Sequence, residues 1–156
     1  MSERTEADAI GANARSADRL RQLVDRLDDR AMGRDLGEGW TVGVALAHLA
    51  FWDRLSARRL RSWLDTGELN DLQGATDLVN EASLFQWRAL PASAVRAEAL
   101  GAATVVNQLV ASAGPGRVAA LVAAGKPRWA HRHLHRMEHV EQIEKALGAG
   151  SHQGVS

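Results

Sequence analysis

The chain contains no cysteine. Disulfides, thiolate metal ligands and a cysteine nucleophile are therefore excluded, and any thiol chemistry must bring its thiol with a substrate. There is no net charge either, with 19 basic and 19 acidic residues, so nothing favours nucleic acid or an anionic membrane as partner. No apolar run approaches the ~20 residues of a transmembrane helix. The opening residues, Met1 to Glu6, are polar and lack the apolar core of a signal peptide, so a cytoplasmic location is expected. Prolines number only three, each at a break in a helical pattern, and no stretch reads as a convincing strand.

What is present is helical periodicity. The 156 residues are 46% apolar and 24% charged, which fits one soluble domain with one core. Ile10, Ala14, Ala17, Leu20, Leu23, Val24 and Leu27 form a stripe opposite Arg15, Asp18, Gln22, Asp25, Arg26 and Asp29, predicting an amphipathic helix over 5–31 that ends in the glycine-rich stretch 33–39. Thr41 suits the N-cap of a second helix, 41–65, apolar nearly all round in its first half and stopped by Gly67. Residues 66–76 read as loop. Leu78, Ala82, Phe85 and Ala89 suit a short helix that ends before Pro91. A third long helix, 92–112, runs to the break at Gly114-Pro115-Gly116, and 117–124 suits one or two helical turns. Pro127 sits at the first turn of a last helix, 127–147, with Gly148 at its end. The expected architecture is all-α, with four long helices and short extra helices in the connections, arranged as a bundle over 1–148 with a disordered tail, 149–156.

Four of the six histidines lie in Trp129-Ala-His-Arg-His-Leu-His-Arg-Met-Glu-His139. His131, His135 and His139 step by four, which stacks them on one helical face with Cβ atoms about 5–6 Å apart. His48 stands alone inside the apolar run 44–52. A histidine there needs a polar partner or a metal, because an unpaired buried polar group costs roughly 1–3 kcal/mol. A surface histidine pair arises often by chance, and one buried histidine is more often a satisfied core residue than a ligand. The three features together favour a shared metal site. Three neutral imidazoles leave a tetrahedral metal one open position, where a water has its pKa lowered toward ~7 or an incoming thiol is deprotonated. Imidazole suits zinc, nickel or iron alike.

His135-Arg-Met-Glu-His139 also matches the inverted zincin signature. That family takes a third ligand from a later helix, whereas only 17 residues follow His139, so a peptidase is disfavoured. Glu138 then reads as a helix-surface residue or a partner of the ligands. Arg54, Arg58 and Arg61 read as a solvated stripe, and the five tryptophans as core or rim anchors. Trp52, one turn after His48, can wall a pocket beside the metal.

Two stretches carry a family likeness. Gly39-Trp-Thr-Val-Gly-Val-Ala-Leu-Ala-His-Leu-Ala-Phe-Trp-Asp53 and His135-x-x-x-His139-x-x-Gln142-Ile143 resemble the second- and fourth-helix motifs of the DinB/YfiT-like superfamily. That superfamily is related to the N-terminal domain of mycothiol-dependent maleylpyruvate isomerase. The resemblance implies an up-down-down-up four-helix bundle, a homodimer, and a divalent metal held by His48, His135 and His139. His131 falls outside the motif and is left as an alternative ligand, a partner of the ligands or a proton carrier. Asn80, in the region before the third long helix, is a candidate for pocket lining with Trp52. The implied chemistry is activation of a low-molecular-weight thiol such as mycothiol, or of water, against a small electrophilic substrate. The competing reading is a non-catalytic dimeric stress or binding protein with a structural metal or none. A closed ligand shell, for instance with His131 as fourth ligand, would favour it.

Overall fold

The computed structural model describes residues 2–72 and 74–150. In chain order these form α1 (Ser2–Asp25), α2 (Asp29–Met32), β1 (Asp35–Gly37), β2 (Trp40–Thr41), α3 (Val42–Thr66), α4 (Thr76–Ala89), α5 (Ala92–Ala113), α6 (Pro115–Ala123), α7 (Pro127–Ala130) and α8 (Arg132–Gly150). The fold is all-α apart from one two-stranded hairpin. Among the described residues no helix is long and apolar enough to cross a membrane. α8 runs to Gly150, and the rest of the tail expected over 149–156 lies outside the described residues.

The hairpin corrects the expectation that the chain holds no strand. Asp35 pairs with Thr41 and Gly37 with Trp40, antiparallel, with a bulge between. Gly37, Glu38 and Gly39 turn the chain at φ of 94°, 55° and 80°, a region that favours glycine. Gly39 has a second constraint: an added Cβ would lie 2.5 Å from Arg88 Nη2, which donates to the Gly39 carbonyl at 2.8 Å. The hairpin delivers Trp40 to the start of α3. There Thr41 caps the helix as expected, its Oγ1 accepting from Val44 N at 3.2 Å. Gly67 closes α3 in the left-handed region, at φ 76°.

Two helical expectations need correction, the end of the first helix and the continuity of the last. The first helix ends at Asp25, because Asp28 offers the backbone a new N-cap and starts α2, its Oδ1 accepting from Ala31 N at 2.8 Å. The short helix expected before Pro91 is α4, and on it Leu78 and Phe85 face solvent, 69% and 82% exposed. The short helix instead buries Trp87, its largest apolar side chain. The last helix is not continuous. His131, at φ −82° and ψ 65°, separates α7 from α8. Asn13 of α1 fills the gap, its Nδ2 donating to Ala130 O at 2.7 Å and its Oδ1 accepting from His133 N at 2.9 Å. One side-chain amide thus satisfies both backbone groups that the break exposes.

The long helices contact one another in a ring: α3 packs on α5, α5 on α1, α1 on α8, and α8 on α3. Inside are two apolar clusters. One holds Leu20, Leu23, Leu46, Leu49, Val95, Ala99, Val140 and Ile143. The other holds Ala9, Ala57, Leu60, Val106, Val110, Leu121 and Trp129. At sequence positions between the two, the same helices bury Asn13, Ser16, Asp53, Ser56, Arg132 and Arg136. This polar belt explains why the apolar face of α1 departs from its predicted stripe, with Ala14 exposed and Asn13 and Ser16 inside. It also explains α8, where Leu134, expected on the apolar side, is 44% exposed and Arg136 is fully buried. Burying a guanidinium demands that its donors be met. Arg136 Nη1 donates to Asn13 O at 3.0 Å and Ser16 Oγ at 2.8 Å, and Nη2 to Asp53 Oδ2 at 3.1 Å and Asn107 Oδ1 at 3.3 Å. Only its Nε lacks a partner among the described residues.

Candidate metal centre

The polar belt holds α8 against α3, and the three histidines sit at that junction. His135 and His139, four apart on α8, face His48 on α3. His48 Nε2 lies 2.9 Å from His135 Nε2, which lies 3.2 Å from His139 Nε2. Zinc bound by imidazole at about 2.0–2.1 Å in tetrahedral geometry separates its ligand nitrogens by about 3.3 Å. All three ligand nitrogens lie within 4.8 Å of one another, so a modest adjustment of the rings suffices for a three-nitrogen metal site. The three histidines can hold a metal ion, and the donor set does not select which one.

Around the triad the tautomers follow from the partners. Arg132 Nη2 lies 3.2 Å from His135 Nδ1. Arginine can only donate, so Nδ1 accepts and the neutral ring keeps its proton on Nε2, directed at the other two histidines. His48 Nε2 then accepts, and its Nδ1 carries a proton that is buried with no partner among the described residues. His139 Nδ1 donates to Gln142 Oε1 at 3.1 Å, leaving its Nε2 lone pair toward the cluster. Such an acceptor on the far nitrogen orients a ligating histidine and raises its basicity. Burial and mutual repulsion keep all three rings neutral, the form that binds metal. Burial pushes His48 down to about 3, with the nearby His139 adding to it. Burial, then Arg132, pushes His135 down to about 2. His139 is lowered chiefly by burial.

Tryptophans enclose the cluster. Trp40, Trp52 and Trp87 rings lie 4.9, 6.3 and 5.3 Å from the His48 ring, and Trp40 is parallel to His139. Trp52 Nε1 donates to Asn80 Oδ1 at 2.9 Å, tying α4 to α3. On its open side the triad meets a cavity of about 460 Å³ lined also by Trp52, Asn80, Arg59, Asp71, Arg132 and Glu138. Trp52 and Asn80 thus lie where pocket-lining residues were expected. Glu138 reaches the cavity wall and pairs with Arg128 at 2.8 Å, both half exposed.

His131 goes elsewhere. The α7–α8 break takes it out of step with His135 and His139. Its ring lies 5.5 Å from that of His133, and it is not among the residues lining the cavity.

Several residues of the site escape a reading by periodicity. Asp53 Oδ1 accepts from Arg132 Nε at 2.7 Å, so Asp53 holds both arginines of the belt and, through Arg132, His135. A carboxylate just beyond an apolar run is a visible signal, since it requires a cationic partner if buried. Nothing distinguishes Arg132 or Arg136 among 17 arginines. Trp40 comes to the site from the hairpin and Asp71 from the loop after α3, and no local pattern predicts the course of either. Arg59 lies on α3 with nothing in the sequence to set it apart from its neighbouring arginines.

Comparison of the chain with protein-family models, with curated proteins and with solved structures gives no match. Its function is therefore read from the site.

Proposed function

We propose that this chain is a divalent-metal-dependent enzyme acting on a small electrophilic substrate, with a low-molecular-weight thiol or water as the nucleophile. The observation that carries this reading is the convergence of three neutral Nε2 atoms, from His48, His135 and His139, on the wall of a cavity large enough for a small molecule. His131 lies away from that wall, so it does not close the ligand shell, which weighs against a purely structural metal. We further propose the DinB/YfiT-like up-down-down-up four-helix bundle as the architecture. The ring of contacts among α1, α3, α5 and α8, and the motif resemblance around His48 and His139, support it. A homodimer is part of the same proposal and is read by sedimentation.

When bound, a divalent cation would supply Lewis acidity, lowering the pKa of a coordinated water or thiol toward neutrality. The chain's own residues do the rest. Gln142 fixes the ring of His139. Arg132, held by Asp53, sets the tautomer of His135 before metal binds, and the tryptophans enclose the back of the site. Glu138, paired with Arg128, is one of two carboxylates that line the cavity, with Asp71. The test is metal content by mass spectrometry on wild type, His48→Ala and His135→Ala. About one equivalent per chain, lost in both variants, supports the reading and justifies a screen of thiol transfer and hydrolysis. Absence of metal after incubation with zinc, nickel and iron salts overturns it.

A further inference from the structure

We propose that the cavity beside the three histidines takes a substrate bearing a carboxylate, and that Arg59 is its receptor. This rests on the reading of the cavity as the substrate pocket.

Arg59 differs from every other arginine at this site. Arg132 donates to Asp53 and to the Arg128 carbonyl, Arg136 makes four hydrogen bonds, and Arg128 pairs with Glu138 at 2.8 Å. The Arg59 side chain is only 10% exposed, yet its nearest carboxylate oxygen, on Asp71, is 3.7 Å away, beyond hydrogen-bond range. That carboxylate is already engaged by the Lys126 ammonium. Among the described residues Arg59 donates no side-chain hydrogen bond. Its N–H groups meet no protein acceptor and are not sealed from solvent, so they stay free for a ligand's oxygens, and Arg59 lines the cavity.

Its geometry suits recognition. The guanidinium carbon sits 5.2 Å from the centroid of the Trp129 ring. A cation–π contact of this kind positions the guanidinium without using any of its N–H donors, which stay available to an oxyanion. Charge favours the same ligand. Arg59, Lys126, Arg128, Arg132 and Arg136 lie in or directly behind the cavity wall, against the carboxylates of Asp53, Asp71 and Glu138. A chain with no net charge thus concentrates positive charge here, before any metal is counted. Burial pushes the Arg59 pKa down, against the attraction of Asp71, as expected for a cation lacking a close counter-ion. Phosphate is the competing anion: near neutral pH it and succinate are both largely dianionic, so a preference between them reports the shape of the bound group and not its charge.

The experiment is calorimetric titration with succinate, with its neutral diamide and with inorganic phosphate. It is run on metal-free and zinc-loaded wild type, Arg59→Gln, Arg59→Lys and Asp71→Asn. Saturable binding of succinate, no binding of the diamide, and at least a tenfold higher Kd in Arg59→Gln with unchanged zinc content are expected. Asp71→Asn should tighten binding, which a merely structural Arg59–Asp71 pair would not do. Should Arg59→Gln fail to fold, Arg59→Lys carries the test, because it keeps the charge and loses the fork. Equal succinate affinity in wild type and the Arg59 variant, no binding to wild type, or tighter binding of phosphate than succinate overturns the proposal. Arg59-dependent binding in a protein that takes up no zinc keeps the receptor and removes the metal reading.

Discussion

Arg136 Nη2 donates to Asp53 Oδ2 at 3.1 Å, and neither side chain exposes any surface. This pair is the centre of a belt that divides the core, joins α8 to α3, and sets the distance between His48 and His135. Asp53 is its only carboxylate and faces two guanidiniums. Asp53→Asn leaves both without a counter-ion, and removing one partner of a buried pair costs about 3–5 kcal/mol. Chemical denaturation should show a loss of that size, whereas a change below about 1 kcal/mol would mean that the belt is not structural.

Arg132 imposes a tautomer on His135 that metal binding must reverse, because a ring ligating through Nε2 carries its proton on Nδ1. It also places positive charge beside the site. Arg132→Gln removes the charge and offers an oxygen that can accept from Nδ1. Tighter zinc binding with lower stability is the expected result of competition with a chromogenic chelator; weaker zinc binding would show that Arg132 supports the site.

Gln142 has the opposite role, since its Oε1 accepts from His139 Nδ1 at 3.1 Å. Losing such a partner typically weakens metal binding about 10–100-fold. Gln142→Leu should show this loss with an unchanged circular dichroism spectrum, and an affinity equal to wild type would remove Gln142 from the site.

Acid should unfold the metal-free protein early. His48 and His135 are held near 3 and 2, and His131, His133 and His139 are also lowered, in each case chiefly by burial. The unfolded chain takes up protons below about pH 6.5, while the folded chain refuses them. Their contribution is thus complete above that pH and is lost as pH falls toward the folded values, by up to about 1.4 kcal/mol per pH unit for each ring. Urea midpoints at about pH 7.5 and about pH 5.5 should fall with acidification; a flat profile would contradict the neutral buried rings.

The sequence by itself determined the helical class, most helix positions and the three histidines that could hold a metal. Those follow from local causes: apolar spacing, the Thr41 cap, the Gly67 stop, proline breaks, and histidines four apart. It also marked His48, since a polar ring in an apolar run must be met by something. Tertiary structure decided which side chains meet. The break at His131 depends on Asn13, more than a hundred residues away, and it alone takes His131 out of the row. Arg136 is inside because Asp53, Ser16 and Asn107, from three other helices, converge on it. Arg59 is left without a hydrogen bond because Asp71 pairs with Lys126. Each of these outcomes balances desolvation against partners brought from distant parts of the chain, and no local pattern encodes that balance.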